Sequence, residues 1–439
     1  MLSAADCAAL DARPHANAPL ASRFAPGAPG TIYLDANSVG PMPADAPARL
    51  AALLDEGWRV ARRRSWNESD WLQQPRALGA ALAAVLGAGA DDLLVADSTS
   101  INHHKLLQLA LAAAAPRRVV VVQDDVFPSN RYAAEAIAHA GGATLRGLVM
   151  GAPQHAAAST RSWGNGAPDA PRTLFEEALE DALAPGDVAV VSLSHVDWRS
   201  GERLDMAALT AIAHRHGALA LWDLSHSAGA VAIDLRGCEV DLALGCGYKY
   251  LCGGPGAPSW LYVHPRWQKA GAWPALAGWM GHADTFAFAR DFAPAPGIAQ
   301  MQVGTPAVIA NAAFAAAAAL WREVDVRALH ERHRSLSETL VQLTDEQLAS
   351  RGVVLAGPRE HGRRGGHVAL RFALGDVQAL GQALVAAGVV VSTRKPDSLR
   401  LAPHPLTTRH AELWEAVHRL ADILDSGRWR EARFQGPVV

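Results

Sequence analysis

Between about residues 75 and 300 the chain alternates stretches of helical periodicity with short, unbroken apolar runs: RVVVVQ (118–123), DVAVVSLS (187–194), ALALWDLS (218–225), LALGCG (242–247) and SWLYVH (259–264). A half-exposed strand would alternate apolar with polar residues. Continuous runs fit strands buried on both faces, in a mixed, mostly parallel sheet between helices, which is an α/β fold. In such sheets functional groups gather at the carboxyl ends of the strands. Ser194, Asp223 and Lys249 stand at or just past three such ends.

The flanking regions differ. Residues 1–43 read as an irregular N-terminal arm with one short strand, TIYLD (31–35), and residues 44–63 have helical periodicity. Residues 153–172 form a polar Gly/Pro/Ser-containing loop carrying Trp163. A long helical region from about 307 to 350 leads into a smaller α+β unit: VVLAG (353–357), HVALRF (367–372), a helix from Asp376, VVVSTR (389–394), LRLAP (399–403) and a last helix. The expected domains are therefore the arm 1–43, a large domain 44–306 and a small C-terminal domain 307–439 that includes the linking helix.

Composition narrows the class. The 439 residues are 50% hydrophobic, enough for a large core and two domains. A net charge of −3 forces no face toward nucleic acid or an anionic membrane; the densest basic run, Arg62 to Arg64, reads as a solvated helix end. The four cysteines, Cys7, Cys238, Cys246 and Cys252, form no C-x-x-C pair. Neither a zinc site nor a disulfide framework is expected, and the reading is a cytoplasmic protein without a metal. The N-terminus lacks a secretory pattern, and no apolar run reaches the ~18 residues of a membrane span. Ala310 to Leu320 is shorter and reads as a buried helix.

Chemistry concentrates in Leu221 to Gly256. Asp223 and His226 follow one apolar strand, and Tyr248 and Lys249 follow the next, with Gly253, Gly254 and Gly256 close behind. A lysine about 25 residues after a strand-end carboxylate, in apolar surroundings, suits a pyridoxal 5'-phosphate (PLP) enzyme. The lysine forms a Schiff base with the cofactor aldehyde, and the carboxylate keeps the pyridinium nitrogen protonated. Burial lowers a lysine pKa toward the free amine that this chemistry needs. The same strand, carboxylate and lysine could also belong to an unrelated α/β protein. Asp97 to Asn102 joins an apolar strand to a helix and offers hydroxyls and backbone N–H donors to a phosphate, or is an ordinary N-cap. Phe127 is a candidate to stack on a pyridine ring or a core aromatic, Tyr248 is a candidate proton donor, and Arg400 is a candidate grip for a carboxylate or a surface ion pair.

Across nearly its whole length the chain resembles the kynureninases, fold-type-I PLP enzymes. The likeness rests on YLDANSVG (33–40), RSWN (64–67), DSTSIN (97–102), VFPSN (126–130), SLSHVDWRSG (192–201), WDLSHSAGA (222–230), GYKYLCGGPG (247–256), LAGWMGH (276–282), VGTP (303–306), PREHGRRGGHV (358–368) and LRLAPHPL (399–406). The lysine segment is shared with cysteine desulfurases and related aminotransferases; GWMGH and PREHGRRGGHV are more specific. The resemblance implies that Lys249 carries the cofactor and that Asp223, with His226 near it, pairs with the ring nitrogen. It implies Thr99, Ser100, Tyr248, Trp279 and Thr305 around the phosphate, with Trp279 and Thr305 donated by the partner of a homodimer. Phe127 would stack on the ring with Ser194 nearby, Arg400 would bind the substrate carboxylate, and Ser38 and Trp66 would border the aryl pocket. The reaction implied is hydrolysis of the Cβ–Cγ bond of L-kynurenine or 3-hydroxykynurenine to an anthranilate and L-alanine. That would place the chain in tryptophan catabolism and NAD biosynthesis.

Several positions depart from the family pattern. Asn130 replaces an Asp, Thr407 a Tyr, Cys252 an Asn, Trp198 a Tyr and Asp197 an Asn, and the 153–172 loop is long. Asn130 keeps a hydrogen bond near the cofactor but no charge. The departures imply a divergent member or one acting on a substituted kynurenine. The alternatives are desulfurase or aminotransferase chemistry on the same cofactor, or a non-catalytic PLP-binding homologue. A desulfurase needs a cysteine on a mobile loop late in the chain, and the last one here is Cys252.

Overall fold

The sheet that organises the molecule is built from the apolar runs. In the computed structural model, which describes residues 1–148, 172–268, 274–373 and 377–436, the strands are β1 (Ile32–Tyr33), β2 (Leu93–Val95), β3 (Val119–Gln123), β4 (Thr144–Leu148), β5 (Val188–Ser194), β6 (Leu219–Asp223), β7 (Leu242–Cys246) and β8 (Ser259–Val263). Seven of them form one sheet in the order β2-β8-β7-β6-β5-β3-β4. All run parallel except β8, which is antiparallel to both neighbours. Val121, Val191, Trp222 and Ala243 pack into the core on one face; Val122, Val190, Leu221 and Leu242 pack into the core on the other. Burial on both faces is why these strands read as unbroken apolar runs. The strand β4 has no such run, because it is a sheet edge whose Arg146 reaches out to Asp187.

A second sheet, β12-β13-β10-β9, is formed by β9 (Val353–Leu355), β10 (Val368–Phe372), β12 (Ser392–Arg394) and β13 (Ser398–Leu401). The remaining strand, β11 (Val389–Val390), pairs in parallel with β1. The expected helical stretch 307–350 is two helices, Val308–Trp321 and Val326–Leu343. Asp325 caps the second, and Asn17 of the arm brackets Asp325 with two backbone hydrogen bonds. Phe314, Ala317, Leu320, Trp321 and Leu329 pack in the core under the large sheet, whereas Leu336, Leu340 and Leu343 pack in that of the small sheet. The change of core falls inside Val326–Leu343. The expected helix over 44–63 begins as Ala46–Ala52 and widens into i→i+5 turns over Leu53–Ala61. The 153–172 loop lies outside the described residues, apart from Arg172 at a helix start. No helix among the described residues is long and apolar enough to cross a membrane.

The arm is a strap between the two sheets. After β1 it donates Ala36 N to the Ala402 carbonyl, and it then crosses the lysine loop, where Gly40 N donates to the Tyr248 carbonyl at 2.8 Å. Here a glycine is required by proximity. A Cβ on Gly40 would stand 2.1 Å from the Lys249 carbonyl oxygen and 2.7 Å from Cys252 Sγ. Gly40→Ala is therefore expected to destabilise the protein by about 1–3 kcal/mol through overpacking. Urea unfolding measures this; an unchanged midpoint would mean that the strap has room to shift.

Candidate active site

The ends of β5, β6 and β7 place three groups side by side. Ser194 is in register with Asp223 across β5 and β6, and the chain beyond β7 turns back through Tyr248 and Lys249. The carboxylate of Asp223 is fixed from two directions. Its Oδ1 accepts the Ser225 backbone N–H at 2.8 Å, and its Oδ2 accepts Asn130 Nδ2 at 2.6 Å. Asn130 sits in the first turn of the helix Pro128–His139 and is buried. The amide thus aims a neutral donor at the carboxylate.

Lys249 Nζ lies 2.8 Å from His226 Nε2 and about 6.0 Å from the ring centres of Phe127 and Tyr248. Burial pulls the lysine pKa down, against the opposing pull of Cys246 and Asp223. His226 is driven well below its ordinary range by burial and by Lys249, Arg400 and His367 around it. The imidazole is therefore neutral and adds no positive charge beside the amine. Burial pushes the Tyr248 phenol up, so it keeps its proton at neutral pH.

Next to these groups a cavity of about 430 Å³ is bordered by Ser98, Thr99, Ser100, Tyr248 and Thr305 of the same chain, with Phe127 at its edge. The helix Thr99–Ala113 starts in its wall; Ser98 caps it by accepting the Ile101 N–H. Hydroxyls, a phenol and helix-terminal N–H groups converge, which is the donor set a phosphate needs. Together with a desolvated lysine and a hydrogen-bonded carboxylate at adjacent strand ends, they fit PLP. Lys249 would carry it, Asp223 would face its ring nitrogen, and this cavity would take its phosphate.

Arg400 on β13 is fully buried. Its Nε and Nη2 donate to Ser392 Oγ at 3.0 and 2.8 Å, and its Nη1 donates to the Trp198 carbonyl at 2.6 Å. Burial and the nearby Arg394 lower its pKa to about 9. Every hydrogen-bond partner it has among the described residues is neutral, so its charge remains for a carboxylate. Ser38 lies on the strap and donates to Asp35.

Two residues stand apart. Trp66 packs edge-on against Trp71 and borders a separate open cavity with Trp58, Arg59, Arg62 and Arg63, so within one chain it is not beside Lys249. Trp279 does not line the phosphate cavity; it is exposed and stacked on Phe288.

Sequence reasoning missed the wall behind Phe127. Trp198 meets Phe127 edge-to-face at 5.5 Å, lies 4.6 Å under the Arg199 guanidinium, and donates Nε1 to the Asp125 carbonyl. Burial and Asp197 raise the Asp125 carboxyl to about 7. The departures Asp197 and Trp198, adjacent in the motif, were the available signal. Cys252 occupies the left-handed region at φ 59, its N–H closes the lysine turn on the Lys249 carbonyl, and its buried thiol lies 3.2 Å from His404 Nε2. That residue is part of the turn, not a mobile nucleophile.

Residues 329–420 match the family model described as Kynureninase C-terminal domain. The kynureninase of Deinococcus radiodurans is 40% identical over 97% of this chain and 98% of its own length. That of Pseudomonas fluorescens is 38% identical over 98% and 97%. Among solved structures, the C-DES mutant with glycine covalently linked to its PLP cofactor superposes with a TM-score of 0.73 at 22% identity, covering 91% of this chain and 98% of that one. The cysteine desulfurase CsdA from Escherichia coli gives 0.72 at 18% identity, covering 93% and 98%. These structures share the PLP fold-type-I architecture. The full-length identity, the C-terminal match and the lysine–aspartate geometry lead to one conclusion: the chain belongs to the kynureninase family.

Proposed function

We propose that this chain is a PLP-dependent hydrolase that cleaves the Cβ–Cγ bond of L-kynurenine or 3-hydroxykynurenine, consuming one water and releasing an anthranilate and L-alanine. The observation that carries the reading is the convergence of Lys249, Asp223 and the hydroxyl-lined cavity at the ends of β6 and β7 in a chain related over its full length to kynureninases.

When bound, PLP supplies an electron sink for carbanionic charge on the substrate. The protein supplies the rest. Arg400 takes the substrate carboxylate and orients the α-carbon. Lys249, held toward its free-amine form by burial, accepts the α-proton. The Asp223 carboxylate would hold a proton on the ring nitrogen, and Asn130 fixes the carboxylate's direction. Water adds to the γ-carbonyl, so that the γ-carbon leaves as the carboxylate of the anthranilate, and Tyr248, whose phenol keeps its proton, donates to the β-carbon, which becomes the methyl group of alanine. Phe127 and Trp198 wall off the ring, and Ser38 on the strap borders the aryl end.

A homodimer with shared sites accords with the surface. Trp279, Phe286 and Phe288 form an exposed cluster of stacked and edge-on rings, an unusual cost unless a second copy covers it. In that arrangement Trp279 completes the partner's site and Trp66 borders an aryl pocket closed only on assembly, whereas Thr305, expected from the partner, borders the phosphate cavity of its own chain. We place the reaction in the cytoplasm, in tryptophan catabolism leading toward NAD.

Anthranilate fluorescence after mixing PLP-loaded protein with L-kynurenine, and with 3-hydroxykynurenine in parallel, tests the reading; no product from either would overturn it. Lys249→Ala is expected to abolish turnover and covalent attachment of the cofactor. Borohydride trapping followed by peptide mass analysis would expose any other lysine that carries it. Asn130→Asp is expected to retain turnover but to add an ionisation to the pH–rate profile. Two carboxyls in the place of a 2.6 Å amide–carboxylate contact must share a proton. A profile identical to that of the parent would mean that the two groups move apart.

A further inference from the structure

One buried cation has no part in the chemistry above. Lys105 lies on the helix Thr99–Ala113 and is 1% exposed. Its ammonium donates to Asp97 Oδ2 at 2.8 Å and to the Met301 carbonyl at 2.7 Å. A buried ammonium is costly unless its protons are taken, and here one acceptor, Asp97, borders the cavity and the other, Met301, immediately precedes a second segment that borders it. Asp97 immediately precedes the cap Ser98 and the hydroxyls of Thr99 and Ser100. Met301 ends the turn Gly297–Met301 and immediately precedes Gln302 to Thr305, which form the facing wall.

Asp97 is also strained. Its φ is +52, in the left-handed region that a non-glycine residue avoids. This conformation swings the chain from β2 into the helix start, and it is pinned at both ends: Ser259 N donates to the Asp97 carbonyl at 2.9 Å, and Lys105 holds its carboxylate. Side chains on a helix lean toward its N-terminus, so a lysine in the second turn is placed to reach back to this corner.

We infer that Lys105 is a positioning residue for the cofactor phosphate: a clamp that joins the Ser98–Ser100 turn to the Gln302–Thr305 segment and sets the spacing between them. The inference rests on the reading that this cavity takes the phosphate of PLP. Lys105 does not touch the phosphate in this role. It fixes the walls whose hydroxyls and N–H groups do, as outer-shell partners fix the ligands of a metal.

The test compares PLP with pyridoxal, which lacks the phosphate, by titrating the apo forms of the parent, Lys105→Met and Lys105→Arg and following cofactor absorbance. Lys105→Met is expected to weaken PLP binding by about tenfold or more, the range seen for lost outer-shell partners, and to leave pyridoxal binding unchanged. Lys105→Arg, which keeps a cation with several donors, is expected to recover part of the loss. Equal effects on PLP and pyridoxal, or none on either, would overturn the proposal and reduce the pair to a structural ion pair. If the parent itself bound both equally, the reading of the cavity would fall first and the clamp with it. Should Lys105→Met not fold, Asp97→Asn removes the charge of the same pair from its more exposed end and leaves a weaker amide acceptor; a selective loss of PLP affinity is again the expected result, and a uniform one the overturning result.

Discussion

The structure depends on keeping Lys249 largely, though not wholly, out of water. Its amine sits at the end of a sheet buried on both faces, against His226 and beneath a strap whose Gly40 approaches the Lys249 carbonyl too closely for any side chain. Desolvation weakens the charged form of the lysine, and the neighbouring imidazole responds by staying neutral rather than competing as a second cation. Everything nearby is arranged around that choice. The turn of Cys252, the strap and the cavity walls are all backbone devices that hold one side chain at the junction of two domains.

A second theme is the use of neutral partners for charged groups. Asp223 is held by an amide and a backbone N–H, and Arg400 by a hydroxyl and a carbonyl. A buried ion pair would have neutralised each group internally. Neutral hydrogen bonds fix direction while leaving charge for a ligand, so the carboxylate stays available to a protonated ring nitrogen and the guanidinium to a substrate carboxylate. Lys105 and Asp97 are the counter-example: both charges are used up on each other, as suits a group that positions walls rather than binding anything itself.

The site also explains how a chain can depart from its family at several positions and keep its frame. Asn130 still reaches Asp223, and Cys252 still closes the lysine turn in a left-handed conformation. Trp198 brings a larger ring into the wall behind Phe127, bracketed by Arg199 and Arg394. These changes alter the lining and electrostatics beside the ring more than the position of Lys249.

The sequence by itself determined the sheet and the central chemistry. Short unbroken apolar runs between helical stretches fit strands covered on both faces, and a lysine and an aspartate just beyond two of them fall at the same carboxyl edge when those strands are parallel neighbours. An edge strand such as β4 carries no such run, and helical periodicity over 307–350 does not register the capped break at Asp325 that divides the region into two helices. Only the tertiary structure decided that Asn130 bonds Asp223, that Ser392 and the Trp198 carbonyl hold Arg400, that Trp66 lies away from Lys249 within one chain, and that Lys105 joins segments as far apart in the chain as Asp97 and Met301. Those pairings run between distant segments and depend on where each loop leaves the sheet. Local pattern carries no information about that, because it is set by packing across the whole core.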